Sequence, residues 1–251
     1  MIRQISIISI GLIFISCNLI NEDKYIYPKD SLISNHLGVP YDSLTFYYPA
    51  VFHVGSKIEY TQIDTFMYNW FSSNLHSAHE PILFNYYLGH DIYRFLWLRS
   101  FDRPVVISIH KNNEKVWLET RILDKQPEFY DSPPPPVLLN NSIQQSLKKD
   151  EPFKYEYIIR KLDRQANIVL NQIIVLTNDE WTEFEKLIAD CLFWTDVPLN
   201  EDIMGFDGSF WTFEGHLSNH YRCVIRWSPD DCYRVLGKYL INKSELEEKI
   251  Y

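Results

Sequence analysis

Two hydrophobic periodicities alternate along the chain. Thr61 to Ser77 places Ile63, Phe66, Met67, Trp70, Phe71 and Leu75 three and four residues apart, with Thr61 as N-cap, which predicts an amphipathic helix. From Pro81 to Leu98 the pattern turns aromatic and β-branched. A two-residue loop at Gly89-His90 would pair Tyr86 with Tyr93, Phe84 with Phe95 and Ile82 with Trp97 on one apolar face. A second hairpin is expected to bend at Asn112-Asn113. It sets Ile109 against Val116 and Ile107 against Leu118, and leaves Ser108 and His110 on the other face.

The second half repeats these signals. Phe153 to Leu162 and Ile168 to Leu176 read as a strand pair joined through Asp163 to Asn167. Thr177 followed by Glu180 is a capping box that opens a helix with Trp181, Phe184, Leu187 and Ile188 on its buried stripe. Ser209 to Trp227 reads as a last hairpin. Ser228-Pro229-Asp230-Asp231 begins a helix through Tyr233, Leu236 and Leu240. The expected fold class is therefore α+β: an antiparallel sheet built from several β-hairpins, with a few amphipathic helices packed on it. Tyr93-Arg94 to Ser100 is faintly echoed by Tyr221-Arg222 to Ser228, as a duplicated helix and hairpin would be. Pro133 to Pro136 form a stiff polyproline segment. Residues 131–137 either divide two domains or make a rigid loop within a single domain over 31–251, and one domain is the preferred reading.

The N-terminus carries a different signal. Arg3 precedes an apolar run from Ile5 to Ile15, then Ser16-Cys17, in the order of a secretory signal peptide. The run is shorter than the roughly 20 residues that span a bilayer. Phe14-Ile15-Ser16-Cys17 resembles the lipobox of bacterial lipoproteins. The resemblance implies cleavage before Cys17, a lipid on its thiol, residues 1–16 as signal peptide and 17–30 as a tether, and a location in the cell envelope with the membrane as partner.

The formal net charge of −9 argues against nucleic acid or an anionic lipid surface as the main partner. An aromatic content of 16 % is what sheet packing predicts, and is also what a sugar- or peptide-binding face would need, so a protein or glycan partner stays open. Of the cysteines beyond Cys17, Cys223 and Cys232 are a candidate bridge in an oxidising compartment; the alternative is that Cys191, Cys223 and Cys232 are buried thiols. No phosphate loop, nucleophile elbow or cofactor fingerprint is present, and no cofactor is expected.

Candidate chemistry gathers in the last hairpin. The Asp207-Gly208, Trp211, Glu214-Gly215 and Arg226-Trp227-Ser228-Pro229 elements resemble a pattern in uncharacterised bacterial proteins, which brings no activity with it. If Phe213 pairs with Cys223, the polar face carries Glu214 opposite Arg222 and His216 opposite His220. That tip is either a solvated end or a metal site built from His216, His220 and Glu214. Asp207 and Glu214 are the candidate catalytic carboxylates. His76 and His79 before Pro81 read as surface residues. The preferred function is a non-enzymatic envelope lipoprotein acting by binding or structural support. A metal-assisted or carboxylate-based hydrolase using residues 205–231 is the alternative.

Overall fold

A computed structural model of the chain describes residues 25–49, 52–54, 57–59, 65–127, 166–199, 205 and 207–250. Its centre is an antiparallel six-stranded sheet. The strands are β3 (Asp91–Arg99), β4 (Val105–Lys111), β5 (Val116–Leu123), β6 (Ile168–Leu176), β7 (Ser209–Leu217) and β8 (His220–Trp227), in the order β6-β5-β4-β3-β7-β8. Two short strands, β1 (Phe52–Val54) and β2 (Lys57–Glu59), pair separately. The helices are α1 (Thr65–Ser77), α2 (Asn178–Asp190) and α3 (Cys232–Lys243). This is the expected α+β class.

Strand β3 explains the layering. It reads Ile92-Tyr93-Arg94-Phe95-Leu96-Trp97-Leu98, buried throughout, so both faces of the sheet must be covered at its centre. Tyr93, Phe95 and Trp97 point to one face, where they meet Trp181, Phe184 and Ile188 of α2 and Tyr233, Leu236 and Leu240 of α3. Ile92, Leu96 and Leu98 point to the other. There α1 contributes Phe71 and Leu75, and the irregular chain on either side of it contributes Tyr27, Tyr47, Tyr48 and Ile82. The α1 face holds buried Arg94, Glu80 and Glu214, and the α2–α3 face holds buried Arg99, Arg222 and Arg226 among its apolar side chains.

The N-cap signals behave as expected at α2, where the Thr177 hydroxyl accepts from the Glu180 N–H and the Glu180 carboxylate accepts from the Thr177 N–H at 2.8 Å. Helix α3 starts later than the sequence suggests. Asp231 is its N-cap, accepting from the Tyr233 N–H at 2.9 Å, so Pro229 precedes the helix instead of sitting in its first turn. Phe66, assigned to the stripe of α1, is 48 % exposed.

The Gly89-His90 hairpin does not form. Both edges of β3 are taken, by β4 and by β7, which leaves Pro81–Leu88 no strand to join. That segment instead crosses the polar-bearing face with Ile82, Leu83 and Phe84 buried, and its backbone is bound elsewhere: the Ile82 N–H donates to Gly38 O at 2.7 Å. The second hairpin forms with its register two residues further along, Ile109 on Leu118 and Lys111 on Val116. A two-residue shift keeps every side chain on its face, so the assignment of Ile107, Ile109, Val116 and Leu118 to the core survives the change. Strand β6 pairs with β5; its expected partner, Phe153 to Leu162, and the polyproline segment lie outside the described residues.

Gly237 shows how tightly α3 is seated. A Cβ there would lie 2.1 Å from Cζ3 of the buried Trp211 and 3.2 Å from the Phe95 ring. An alanine in mid-helix normally gains up to about 1 kcal/mol over glycine. Here the overlap is with a ring fixed in the core, and overpacking of that kind costs about 1–3 kcal/mol. We expect Gly237→Ala to lower stability in a urea titration; a rise in the midpoint would show that α3 can move away from Trp211.

Candidate functional site

The site is built on the face covered by α1. Alternation along β7 turns Thr212, Glu214 and His216 to this face, and the β3–β7 register sets Glu214 directly opposite Arg94. Arg94 Nε and Nη2 both donate to Glu214 Oε2, at 2.7 and 2.5 Å. Its Nη1 donates to Pro81 O at 2.7 Å and lies 3.4 Å from Glu80 Oε2. Tyr221 donates to the second Glu214 oxygen at 2.9 Å. Glu80 also accepts from Arg121 Nη1 at 2.5 Å, and Arg121 closes the series on Glu119.

Three carboxylates therefore share two guanidinium groups in one seam, buried at Arg94 and Glu214 and partly open at Arg121 and Glu119. Burial raises the pKa of Glu214, against the lowering effect of Arg94, and burial likewise raises that of Glu119. Burial opposes the charge on Arg94, but Glu214 and Glu80 beside it more than offset this and hold it protonated. The Cys223 thiol next to Glu214 is pushed up by burial and stays neutral.

Two imidazole sites flank the seam. His216, fully buried, lies 2.7 Å by Nδ1 from Leu83 O, while its Nε2 is 3.0 Å from the Leu88 N–H. A carbonyl can only accept and an amide N–H can only donate, so Nδ1 carries the proton and Nε2 is bare. Tyr27 packs edge-on to the ring and donates to Leu217 O at 2.7 Å. His216 is thus a neutral side chain that fastens both the 83–88 segment and the N-terminal segment to β7. Burial lowers its pKa to about 3. At the other flank His90 Nε2 and His110 Nδ1 are 3.1 Å apart, and both rings stack on Trp117. Burial, then His90 and Arg121, brings His110 to about 3.

Where the seam meets solvent at Glu80 there is a cleft of about 440 Å³, walled by Leu37, Val39, Pro40 and Pro81, with Tyr47, His76, His79 and Glu80 as its polar lining. Of the two histidines expected to be plain surface, His79 is exposed and His76 is half-buried, and both line the cleft with buried Glu80. Burial and His79 lower the pKa of His76. The Glu80 carboxylate, held by two arginines, is a fixed acceptor. The wall facing it is held by Asn85, whose side chain donates to Asp30 O and to Ser34 Oγ, both at 2.8 Å.

Comparison with protein-family models, with curated proteins and with solved structures finds no match. The geometry alone carries the functional reading.

The residues expected to form the hairpin tip are separated. The observed register is Phe213 on Val224, one residue from the expected Phe213 on Cys223, and leaves a two-residue loop at Ser218-Asn219. One step exchanges the faces of β8: Glu214 faces Cys223 instead of Arg222, and His216 faces Tyr221 instead of His220. His216 is buried on Leu83 and Leu88 while half-buried His220 bonds to Asn219 and packs on Trp194, so the His216–His220–Glu214 chelate does not assemble. Among the described residues no group of three or more His, Cys, Asp or Glu side chains is placed to hold a metal ion. Asp207 is exposed before β7, seven residues and roughly 24 Å of strand from buried Glu214, so the two candidate acids do not converge.

The Cys223–Cys232 pairing is also replaced. Cys191, the C-cap of α2, bonds to Cys232 at the start of α3, with the Cα atoms 5.5 Å apart, and Cys223 is a buried free thiol. The same face exchange explains this: Cys223 lies on the α1 side of the sheet, whereas both helices lie on the other. In the Arg226-Trp227-Ser228-Pro229 element, Arg226 pairs with Asp196 and donates to Val197 O at 3.0 Å, and Trp227 packs on Gly208, so the element holds its own corner together. Cys17 lies outside the described residues.

The buried imidazole of His216 gives a pH prediction. The folded pKa of His216 lies below the ordinary 6.5, so its contribution to stability is complete above that value and is lost as pH falls toward about 3, because the unfolded chain binds the proton first. His216→Gln can keep an acceptor for Leu88 and a donor for Leu83 without titrating. Between pH 6 and 4.5 the slope of unfolding free energy on pH should drop in this variant by about one proton, roughly 1.4 kcal/mol per pH unit. An unchanged slope would mean that His216 is protonated in the folded protein.

Proposed function

We propose that the protein is a lipid-anchored envelope protein that acts by binding, with the cleft beside Glu80 as its ligand site. The observation that carries the binding reading is the cleft itself: apolar walls around a few fixed polar groups, the form in which small-molecule and peptide side-chain sites usually occur. Its carboxylate is already ion-paired and burial works against a charge on His76, so the site fits an uncharged, amphipathic ligand or an apolar side chain of a partner protein better than an ion. The address rests on the apolar run before Ser16-Cys17, and the Cys191–Cys232 bridge supports it, because such bridges persist in oxidising compartments. Among the described residues no helix is long and apolar enough to cross a membrane.

Two measurements test this. In protein purified from membranes, the N-terminal peptide should begin at Cys17 and carry the mass of diacylglycerol. A peptide that begins elsewhere, or an unmodified Cys17, overturns the address. For the cleft, the apolar dye Nile red should bind in its fluorescent state, and Val39→Trp, which fills the wall at a half-exposed position, should weaken it by about tenfold, the equivalent of 1.4 kcal/mol. Dye binding unaffected by Val39→Trp would place the apolar site elsewhere.

A further inference from the structure

The segment between Ile26 and Phe46 exposes apolar side chains out of proportion to its length. Of the fifteen exposed large hydrophobic residues among the described positions, seven lie here. Three of them occupy equivalent places. Asp30-Ser31-Leu32, Asn35-His36-Leu37 and Asp42-Ser43-Leu44 are three turns in which the first side chain accepts from the backbone N–H two residues on: Leu32 on Asp30 at 2.8 Å, Leu37 on Asn35 at 2.9 Å and Leu44 on Asp42 at 2.8 Å. Each turn therefore carries a leucine, 85, 61 and 64 % exposed respectively.

The first two of these turns are tied to the fold, and the third is closed by its own Asp42, which also accepts from the Thr45 hydroxyl. Asn85 bonds to Asp30 and Ser34, Asn35 also accepts from the Val39 N–H at 3.0 Å, and the Ile82 N–H donates to Gly38 O at 2.7 Å. An exposed leucine in water forgoes about 1.5–3 kcal/mol of burial, which a surface that covers these turns would recover.

We infer that these three leucine turns form the face that the protein lays against a lipid bilayer, the leucines entering the interfacial region. The inference rests on the lipid-anchor reading, which places Cys17 eight residues before Tyr25 and so within at most about 30 Å of where the described chain begins. The chemistry of the segment favours lipid over a protein partner. Leucine is under-represented among the residues that dominate protein interfaces, which favour Trp, Tyr and Arg. Leucine and aromatic side chains are those that interfacial segments bury, and exposed Tyr41 between the turns suits the headgroup level. Lys29 is the one Lys or Arg between Ile26 and Phe46, so the contact is apolar and suits a zwitterionic surface, consistent with a chain of net charge −9.

The cysteine inventory makes the test direct. With Cys17 lipidated, Cys191 bridged to Cys232 and Cys223 buried, a cysteine introduced at the surface is the reactive one. Leu32→Cys, Leu37→Cys and Leu44→Cys would each carry a polarity-sensitive fluorophore in the full-length protein, added to phosphatidylcholine vesicles that contain a nitroxide-bearing phosphatidylcholine. Lys186→Cys, exposed on α2 across the sheet, is the control. The three turn labels should be quenched by the lipid nitroxide about twofold or more beyond the control, and should stay quenched in high salt. Quenching equal to the control overturns the inference. Turn labels shielded from aqueous iodide but untouched by the lipid nitroxide also overturn it, in favour of a protein surface or a second copy of this chain. The mass at Cys17 is read on the same samples: a lipidated Cys17 with unquenched turns refutes this face alone, and an unmodified Cys17 with quenched turns refutes the anchor alone.

Discussion

The pairing of Arg94 with Glu214 constrains more of this molecule than any other contact. Arg94 sits in the central strand of a sheet covered on both faces, and its guanidinium cannot reach water. A buried charge must be paired and fully hydrogen-bonded, and removing one partner of such a pair costs about 3–5 kcal/mol. Strand β7 must therefore lie in the one register that brings Glu214 opposite Arg94. That register, with the two-residue turn that follows, determines which face each residue of β8 takes and forces His216 inward. His216 in turn gathers Leu83, Leu88 and Tyr27. One ion pair thus propagates through a strand register and a neutral imidazole to the irregular chain that covers the sheet.

The two faces divide the labour. The α2–α3 face is packed by Trp97, Trp181, Trp211 and a Gly237 that lets the helix approach, carries buried Arg99 and Arg226 on Glu248 and Asp196, and is closed by the Cys191–Cys232 bridge between the helices. Such a face gains stability from area and shape and offers little to a ligand. The opposite face contains the buried Arg94–Glu214 pair, and its cover is built from α1 and loops, which is where binding groups are commonly found on a rigid scaffold.

What the sequence revealed, and what it concealed, follows from the range of each signal. Caps and periodicity are local: the Thr177–Glu180 box, the stripes of α2 and α3 and the faces of β4 and β5 are all legible, and a register error of two at Asn112 leaves those faces intact. Pairing partners are not local. Residues 82–88 read as a strand because Ile82, Phe84 and Tyr86 alternate, yet burial of Ile82 and Phe84 is achieved by packing over the sheet instead of joining it. The last hairpin failed by a single residue, since two loop lengths fit the pattern equally well and every β8 residue, Arg222, Cys223 and His220 included, changes face between them. A signal was available. Arg94 and Glu214 each stand inside an otherwise apolar run, and two opposite charges so placed are most economically buried against each other. Glu80 and Arg121, which stand beside polar neighbours and not inside apolar runs, offered no such hint.

The rigidity of the loop cover bears on both proposals at once. Asn85 and His216 are buried polar groups whose bonds run to the 25–38 and 83–88 segments, so the wall of the cleft and the first two leucine turns are held by the same anchors that complete the charged face. Rigid presentation lowers the ordering cost of any contact these segments make, whether with a ligand in the cleft or with lipid at the turns. It also couples them. Leu37 belongs to both, as a wall of the cleft and as the tip of the second turn, so a surface that takes up Leu37 must alter access to Glu80. In the proposed arrangement the cleft opens beside the membrane, and a ligand reaching it from the lipid phase would meet apolar walls before the fixed carboxylate.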